Sequence, residues 1–219
     1  FTATPSKGTH EFNPENQIVT LNNTSTSADG IDFTDQSAII VSGTVQVART
    51  SPATPAEGVE IFVNGASSFP PTLTDENGSY SLALEPGGNY VFTANSLNHQ
   101  FMPDSIEILN LDVATANIDF QDVTTFNLTA LVAGGDSCLF NIGGATLSIN
   151  SNPAGFDTSV AVTYSSVISN LPSLDYVVSA TNPDVVFDNQ TISLRDSSQS
   201  VSFIYHAPLN VAITGLPLN

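Results

Sequence analysis

Apolar and polar residues alternate along most of this chain with a period of two. Ile39, Val41, Gly43, Val45 and Val47 alternate with Ile40, Ser42, Thr44 and Gln46. Successive side chains of a strand point to opposite faces, so this pattern predicts a strand with one buried and one wet face. The same reading predicts strands at Val59, Ile61 and Val63, at Tyr80, Leu82 and Leu84, and at Tyr90, Phe92 and Ala94. Further strands are predicted at Ile106 with Ile108, and at Ala116, Ile118 and Phe120. Proline and glycine punctuate them. Ser51-Pro52-Ala53-Thr54-Pro55 and Phe69-Pro70-Pro71 read as loops, and Thr74-Asp75-Glu76-Asn77-Gly78 and Pro86-Gly87-Gly88-Asn89 as turns. No stretch carries the 3.6-residue period of an amphipathic helix. Seven short strands with frequent turns predict an all-β, antiparallel sandwich.

The pattern then starts again. Phe126, Leu128, Ala130 and Val132 open a second series, followed by Ala145, Leu147 and Ile149, then Val160, Val162 and Tyr164. Leu171–Tyr176 stands where Leu84–Tyr90 stood, and Ile192 with Leu194 and Val201 with Phe203 close the series. Landmarks fix the repeat. Ile31-Asp32-Phe33, Ile118-Asp119-Phe120 and Val201-Ser202-Phe203 place their phenylalanines 87 and 83 residues apart. Ahead of them come Phe12-Asn13-Pro14, Phe101-Met102-Pro103 and Phe187-Asp188-Asn189. A fixed period of this length marks tandem domains. The expected organisation is the back half of a sandwich in residues 1–37, whole repeats in 38–122 and 123–206, and the first strand of another in 207–219. That arrangement is expected of a segment of a longer repetitive protein. The links between repeats are short and lack glycine–serine spacers, which predicts restricted hinge motion.

Charge narrows the function classes. Three basic residues, Lys7, Arg49 and Arg195, face 21 acidic ones, for a net charge of -18. Phosphate binding needs lysine and arginine to displace counterions, so nucleic acid and anionic membrane surfaces are excluded as partners. The acids serve as a solubilising coat, or they bind divalent cations. No apolar run is long enough for membrane insertion as a helix. The single cysteine, Cys138, can form no internal disulfide and reads as a small core residue.

Several motifs resemble a known family. Gly43-Thr44-Val45, Gly58-Val59-Glu60-Ile61, Thr74-Asp75-Glu76-Asn77-Gly78-Ser79-Tyr80 and the Pro86-Gly87 turn before Tyr90 resemble the carboxypeptidase-regulatory-like, or prealbumin-like (transthyretin-like), β-sandwich repeats. The ending, Phe-x-Pro followed by Ile-Asp-Phe, is similar to the tail of those repeats. The resemblance is strong over 38–122 and weak over 123–206. It implies an Ig-like sandwich serving as spacer, stalk or adhesive module of large bacterial surface or secreted proteins, with no catalytic residues. The repeats are also similar to collagen-adhesin B-type stalk domains, which often carry a Lys-to-Asn isopeptide cross-link. Neither whole repeat contains a lysine, which excludes that link in both.

Candidate chemistry is sparse. His10, His99 and His206 lie in different repeats, cannot meet in one metal or catalytic site, and read as surface residues. There is no Gly-x-Ser-x-Gly elbow, no Cys/His ligand spacing and no phosphate loop. Asp32 with Asp35, and Asp119 with Asp122, fall at the repeat junctions, where converging oxygen ligands would suit calcium, the one cofactor the sequence suggests. Alternatively, Asp35 and Asp122 accept backbone N–H groups in a turn. Phe62, on the wet face of its strand, and Phe69, beside two prolines, could bind a sugar or could pack against a neighbouring repeat. Asn22, Asn23, Asn77, Asn127 and Asn189 each begin an Asn-x-Ser/Thr acceptor for glycosylation where the source permits it. The expected function is a non-catalytic structural segment of an extracellular or cell-surface fibre, stalk or adhesin. Its expected partners are neighbouring repeats or other copies of itself, the second case making it a filament subunit. The alternative is an accessory module of a larger secreted protein that binds surface glycans or another surface polymer.

Overall fold

The computed structural model describes residues 1–8, 10–24, 26–68, 70–134 and 144–205. Phe69, Cys138, His206 and the strand expected at 207–219 lie outside the described residues. The fold is all-β: every regular element among the described residues is a strand. Contacts divide the chain into two compact units. Unit 1 comprises Phe1–Val45, Pro55–Ser96 and Phe101–Gln121; unit 2 comprises Gln46–Thr54, Leu97–Gln100 and Asp122–Asn219.

Strands β1 (Thr2–Ala3), β2 (Phe12–Asn13), β3 (Gln17–Ile18) and β4 (Thr34–Asp35) form two small antiparallel ribbons in unit 1, β1 with β3 and β2 with β4. Then come β5 (Ile39–Val47), β6 (Thr54–Pro55), β7 (Glu60–Val63), β8 (Ser79–Leu84), β9 (Tyr90–Asn95), β10 (Phe101–Met102), β11 (Ile106–Ile108) and β12 (Phe120–Asp122). One sheet runs β10-β12-β5-β6 with β8 also on β5, and a second runs β11-β9-β7. The alternation along β5 is as expected: Ile39, Val41, Gly43, Val45 and Val47 are buried and their neighbours are not. Val41, Val45, Ile61, Phe92, Leu111 and Phe120 form the centre of the core.

The strand expected at Ala116, Ile118 and Phe120 departs from expectation. Ala116 is exposed, and regular pairing begins only at Phe120. The reason lies at Gly43, where a Cβ would stand 2.0 Å from the Ile118 carbonyl oxygen. The backbone of 115–118 thus crosses β5 too closely for a side chain. It bonds β5 irregularly, Ser42 N to Thr115 O and Ile118 N to Ser42 O, at 2.9 and 3.2 Å. The buried Tyr80 hydroxyl donates to Ile118 O at 2.5 Å, and burial pushes that phenol well above its ordinary pKa.

Unit 2 contains β13 (Thr125–Gly134), β14 (Ala145–Ser151), β15 (Asp157–Val162), β16 (Ser165–Pro172), β17 (Asp175–Asn182), β18 (Val185–Val186), β19 (Gln190–Ser193) and β20 (Gln199–Tyr205). One sheet is β16-β13-β20, and the other is β15-β14-β17-β18 with β19 also on β17. The first and last strands lie parallel, in register from Leu128↔Gln199 to Gly134↔Tyr205. Leu128, Leu147, Ile149, Tyr176, Val178 and Phe203 are fully buried or nearly so. Two expectations change here. Tyr164 is 64% exposed and lies beyond β15 rather than in it. β16, a serine-rich strand, was not expected from the pattern; it pairs antiparallel with β13.

Candidate functional site

His10 stands two residues ahead of Phe12 at the start of β2, and Asp35 closes β4, the partner of β2. Antiparallel pairing therefore brings them together. His10 Nδ1 meets Asp35 Oδ2 at 2.6 Å. The other carboxylate oxygen accepts the Ser37 N–H at 3.0 Å, an Asx turn two residues on. Three further bonds tie the ribbon's ends: His10 Nε2 to the Asp112 carbonyl oxygen at 3.2 Å, Gln36 N to Glu11 O at 2.8 Å, and Glu11 N to Ser37 Oγ at 2.8 Å. Lys7 Nζ donates to the Asp112 carboxylate, whose Oδ1 also lies 3.4 Å from His10 Nε2. The imidazole is 3% exposed.

Unit 2 contains the same arrangement. His99 Nδ1 meets Asp122 Oδ2 at 2.7 Å, and the Thr124 N–H donates to Asp122 Oδ1 at 2.9 Å. Val123 N donates to Gln100 O at 2.9 Å and Gln100 N to Thr124 Oγ1 at 2.8 Å. The ring also bonds the Arg195 backbone, and Asp196 Oδ1 lies 3.8 Å from Nε2. The imidazole is 10% exposed and meets the Phe126 ring edge-on. His99 is two residues ahead of Phe101, and Asp122 two after Phe120, as His10 and Asp35 are to Phe12 and Phe33. The two sites are copies of one clamp.

The electrostatics follow from the contacts. The Asp35 hydrogen bond, helped by the Asp112 backbone, raises the His10 pKa above its ordinary value, against the opposing effects of burial and Lys7. The same bond, with Ser37, lowers Asp35 to about 2. Asp122 raises His99 in the same way, with the Arg195 backbone and Asp196 adding to it against burial.

The remaining basic residues are also engaged. Arg195 Nε donates to Asp175 Oδ2 at 2.9 Å. Arg49, at a left-handed φ of 66°, donates from Nη1 to the Asn170 carbonyl oxygen at 2.7 Å and lies 5.9 Å from the centre of the Phe156 ring. Beside it Ser51 N donates to Gly155 O at 2.7 Å.

The structure therefore corrects the reading of His10 and His99 as surface residues. Strand pairing buries both imidazoles against a carboxylate, a relation that no single strand's alternation reveals. The available signal was the joint recurrence of His two before one landmark phenylalanine and Asp-x-Ser/Thr two after the other.

The acidic pairs are not brought together as pairs. Asp35 and Asp122 serve the clamps and their turns. Asp119 Oδ1 accepts from Thr44 N and Thr44 Oγ1 at 2.7 and 2.9 Å, and the Asp32 backbone oxygen accepts from Gln17 Nε2 at 2.5 Å. Among the described residues no three His, Cys, Asp or Glu side chains converge as a metal-ligand set. Phe62 is half-buried on β7 opposite Thr93. Asn22, Asn23, Asn77, Asn127 and Asn189 are all exposed.

No family model matches the chain, and no curated protein does. Solved structures do. The TIE protein of Bacillus anthracis is 13% identical with a TM-score of 0.44; the match covers 80% of this chain, which spans about a third (34%) of that one. The minor pilin of Streptococcus agalactiae is 13% identical over 81% of this chain and 100% of that one, with a TM-score of 0.35. The shaft pilin SpaA of Lactobacillus rhamnosus GG is 13% identical over 79% and 100%, with a TM-score of 0.35.

Proposed function

We propose that this chain is a non-catalytic structural segment of an extracellular fibre, stalk or adhesin built from tandem β-sandwich repeats. The observation that carries the reading is the duplicated clamp. The same side-chain and backbone hydrogen bonds recur at equivalent positions of successive repeats, and in each case the ring reaches a backbone group about 100 residues on, Asp112 from His10 and Arg195 from His99. A fastening that recurs within each unit suits an array of similar modules, each of which buries its own core and must keep its own strands paired. Each described histidine faces hydrogen-bond acceptors on either side of its ring, which leaves neither poised as a general base for a hydroxyl nucleophile. The resemblance to surface-protein repeats supplies the extracellular setting, and the net charge of -18 suits a long solvated array. Other copies of the chain, or neighbouring repeats, are the partners on this reading. An ion at the repeat junctions would compete with the imidazoles for the Asp35 and Asp122 carboxylates. Half-burial of Phe62 gives the polymer-binding alternative no added support.

The test is gold-conjugated antibody labelling of intact, unpermeabilised cells that make the parent protein. Label on the cell surface or on projecting fibres is expected. Label that appears only after permeabilisation would sink the proposal.

A further inference from the structure

The clamp imposes a protonation state through its geometry. A neutral imidazole has one N–H donor and one acceptor nitrogen. At His10, Nδ1 faces a carboxylate oxygen and Nε2 faces a backbone carbonyl oxygen with the Asp112 carboxylate beside it. All of these only accept, so only the imidazolium can donate on both sides. His99 repeats the condition with Asp122 on Nδ1, and the Arg195 backbone and Asp196 around the ring. The charged surroundings agree. Around His10 are Asp35, Asp112 with Lys7 bound to it, and Glu11 and Glu15 lining the adjoining cavity. Around His99 are Asp122 and Asp196, while the Arg195 guanidinium is drawn off by Asp175. The imidazoles are 3% and 10% exposed, so solvent supplies few alternative partners.

The third repeat is an internal control. Val185 occupies the position two before Phe187, and Tyr205 the position two after Phe203, so both halves of the clamp are replaced together. There β18 pairs with β17 instead of with the last strand. Histidine and aspartate are present together or absent together, as parts of one device would be.

We propose that the two clamps are acid-tightened latches: each holds its unit most firmly in mildly acidic surroundings and loosens as they become alkaline. The proposal rests on the structural reading above and names how that structure is regulated. The direction follows from linkage. A histidine whose folded pKa is raised gives its full stabilisation below its unfolded value, about 6.5. It loses that stabilisation as pH rises through the folded value. Asp35, lowered to about 2, contributes above its ordinary 3.8 and loses that contribution as pH falls toward 2. The latch is therefore strongest between about pH 4 and pH 6.5. A surface array of this kind would tighten, not slacken, where its surroundings acidify.

Two measurements on the full 219-residue chain test this. In the wild type, an NMR titration of the imidazole ring protons should place two of the three histidines above the ordinary midpoint of about 6.5. Those two should disappear from the spectra of His10→Gln and His99→Gln. Thermal unfolding at pH 5.5 and pH 8.5 should then show a wild-type midpoint lower at the alkaline pH by at least about 2 °C, the scale of a small stability change in a chain this long. Each Gln variant should lose part of that difference. Two titration midpoints at or below 6.5 would overturn the proposal, even if a variant failed to fold. Variants destabilised equally at both pH values would also overturn it, while leaving the clamp as a structural bond. Variants no less stable than wild type at either pH would overturn both the latch and the structural reading.

Discussion

Gly43 and Asp119 decide how unit 1 closes. Glycine at 43 lets the backbone at Ile118 pass where a Cβ would sit 2.0 Å from the carbonyl oxygen. With the ladder thus interrupted, the Asp119 carboxylate takes the Thr44 N–H and hydroxyl at 2.7 and 2.9 Å. A side chain stands in for a strand carbonyl. Gly43→Ala should therefore lower the unfolding free energy by about 2 kcal/mol or more, because the obstruction is backbone and not a movable side-chain tip. Denaturant unfolding checks this, and a variant as stable as wild type would contradict it. The glycine's place in a buried row was legible in its alternation with Ser42 and Thr44. Its reason was not, since the strand that presses on it comes 75 residues later in sequence. The same distance problem hid the histidines. His10 and Asp35 are 25 residues apart and His99 and Asp122 are 23 apart, and only strand pairing joins them.

Strands of high contrast between apolar and polar positions were legible from their sequence: β5, β9, β13 and β14 lie where alternation placed them. The strand β16 was not, because Ser165, Ser166, Ser169 and Asn170 interrupt its apolar positions, Val167 and Ile168 are adjacent and do not alternate, and Val167 is 62% exposed. The turn at Thr74–Gly78 was read correctly, and its mechanism is visible. Asp75 Oδ1 accepts the Asn77 and Ser79 N–H groups, both at 2.8 Å, and Gly78 takes a φ of 70° against Val45 O. The Pro-rich loop proves less open than its composition suggests. It bonds Gly155 through Ser51, and a Cβ on Gly155 would lie 2.6 Å from Thr54 Oγ1 and 3.0 Å from Pro52 O. Gly155 carries no positive φ, so substitution there acts by contact alone. Gly155→Ala should cost about 1–2 kcal/mol in chemical denaturation, and a variant as stable as wild type would show that this loop yields without cost.

Across the whole molecule, charge is apportioned unevenly. With 21 acids and three basic residues, most carboxylates can have no lysine or arginine partner, while each described lysine and arginine side chain has a defined acceptor within its unit. The net charge was legible at once and argues against nucleic acid as a partner. The placement of the few cations was not, because composition carries no address. On the proposed function the clamps act mechanically: each fastens a strand end to a loop far along the chain, so that pulling the termini must break a charged, buried contact. The most direct measurement is single-molecule force spectroscopy of the full chain, held by its ends at pH 6. Two principal unfolding steps are expected, with His10→Gln lowering the force of one and His99→Gln the force of the other. Unfolding forces that neither substitution changes would contradict this expectation.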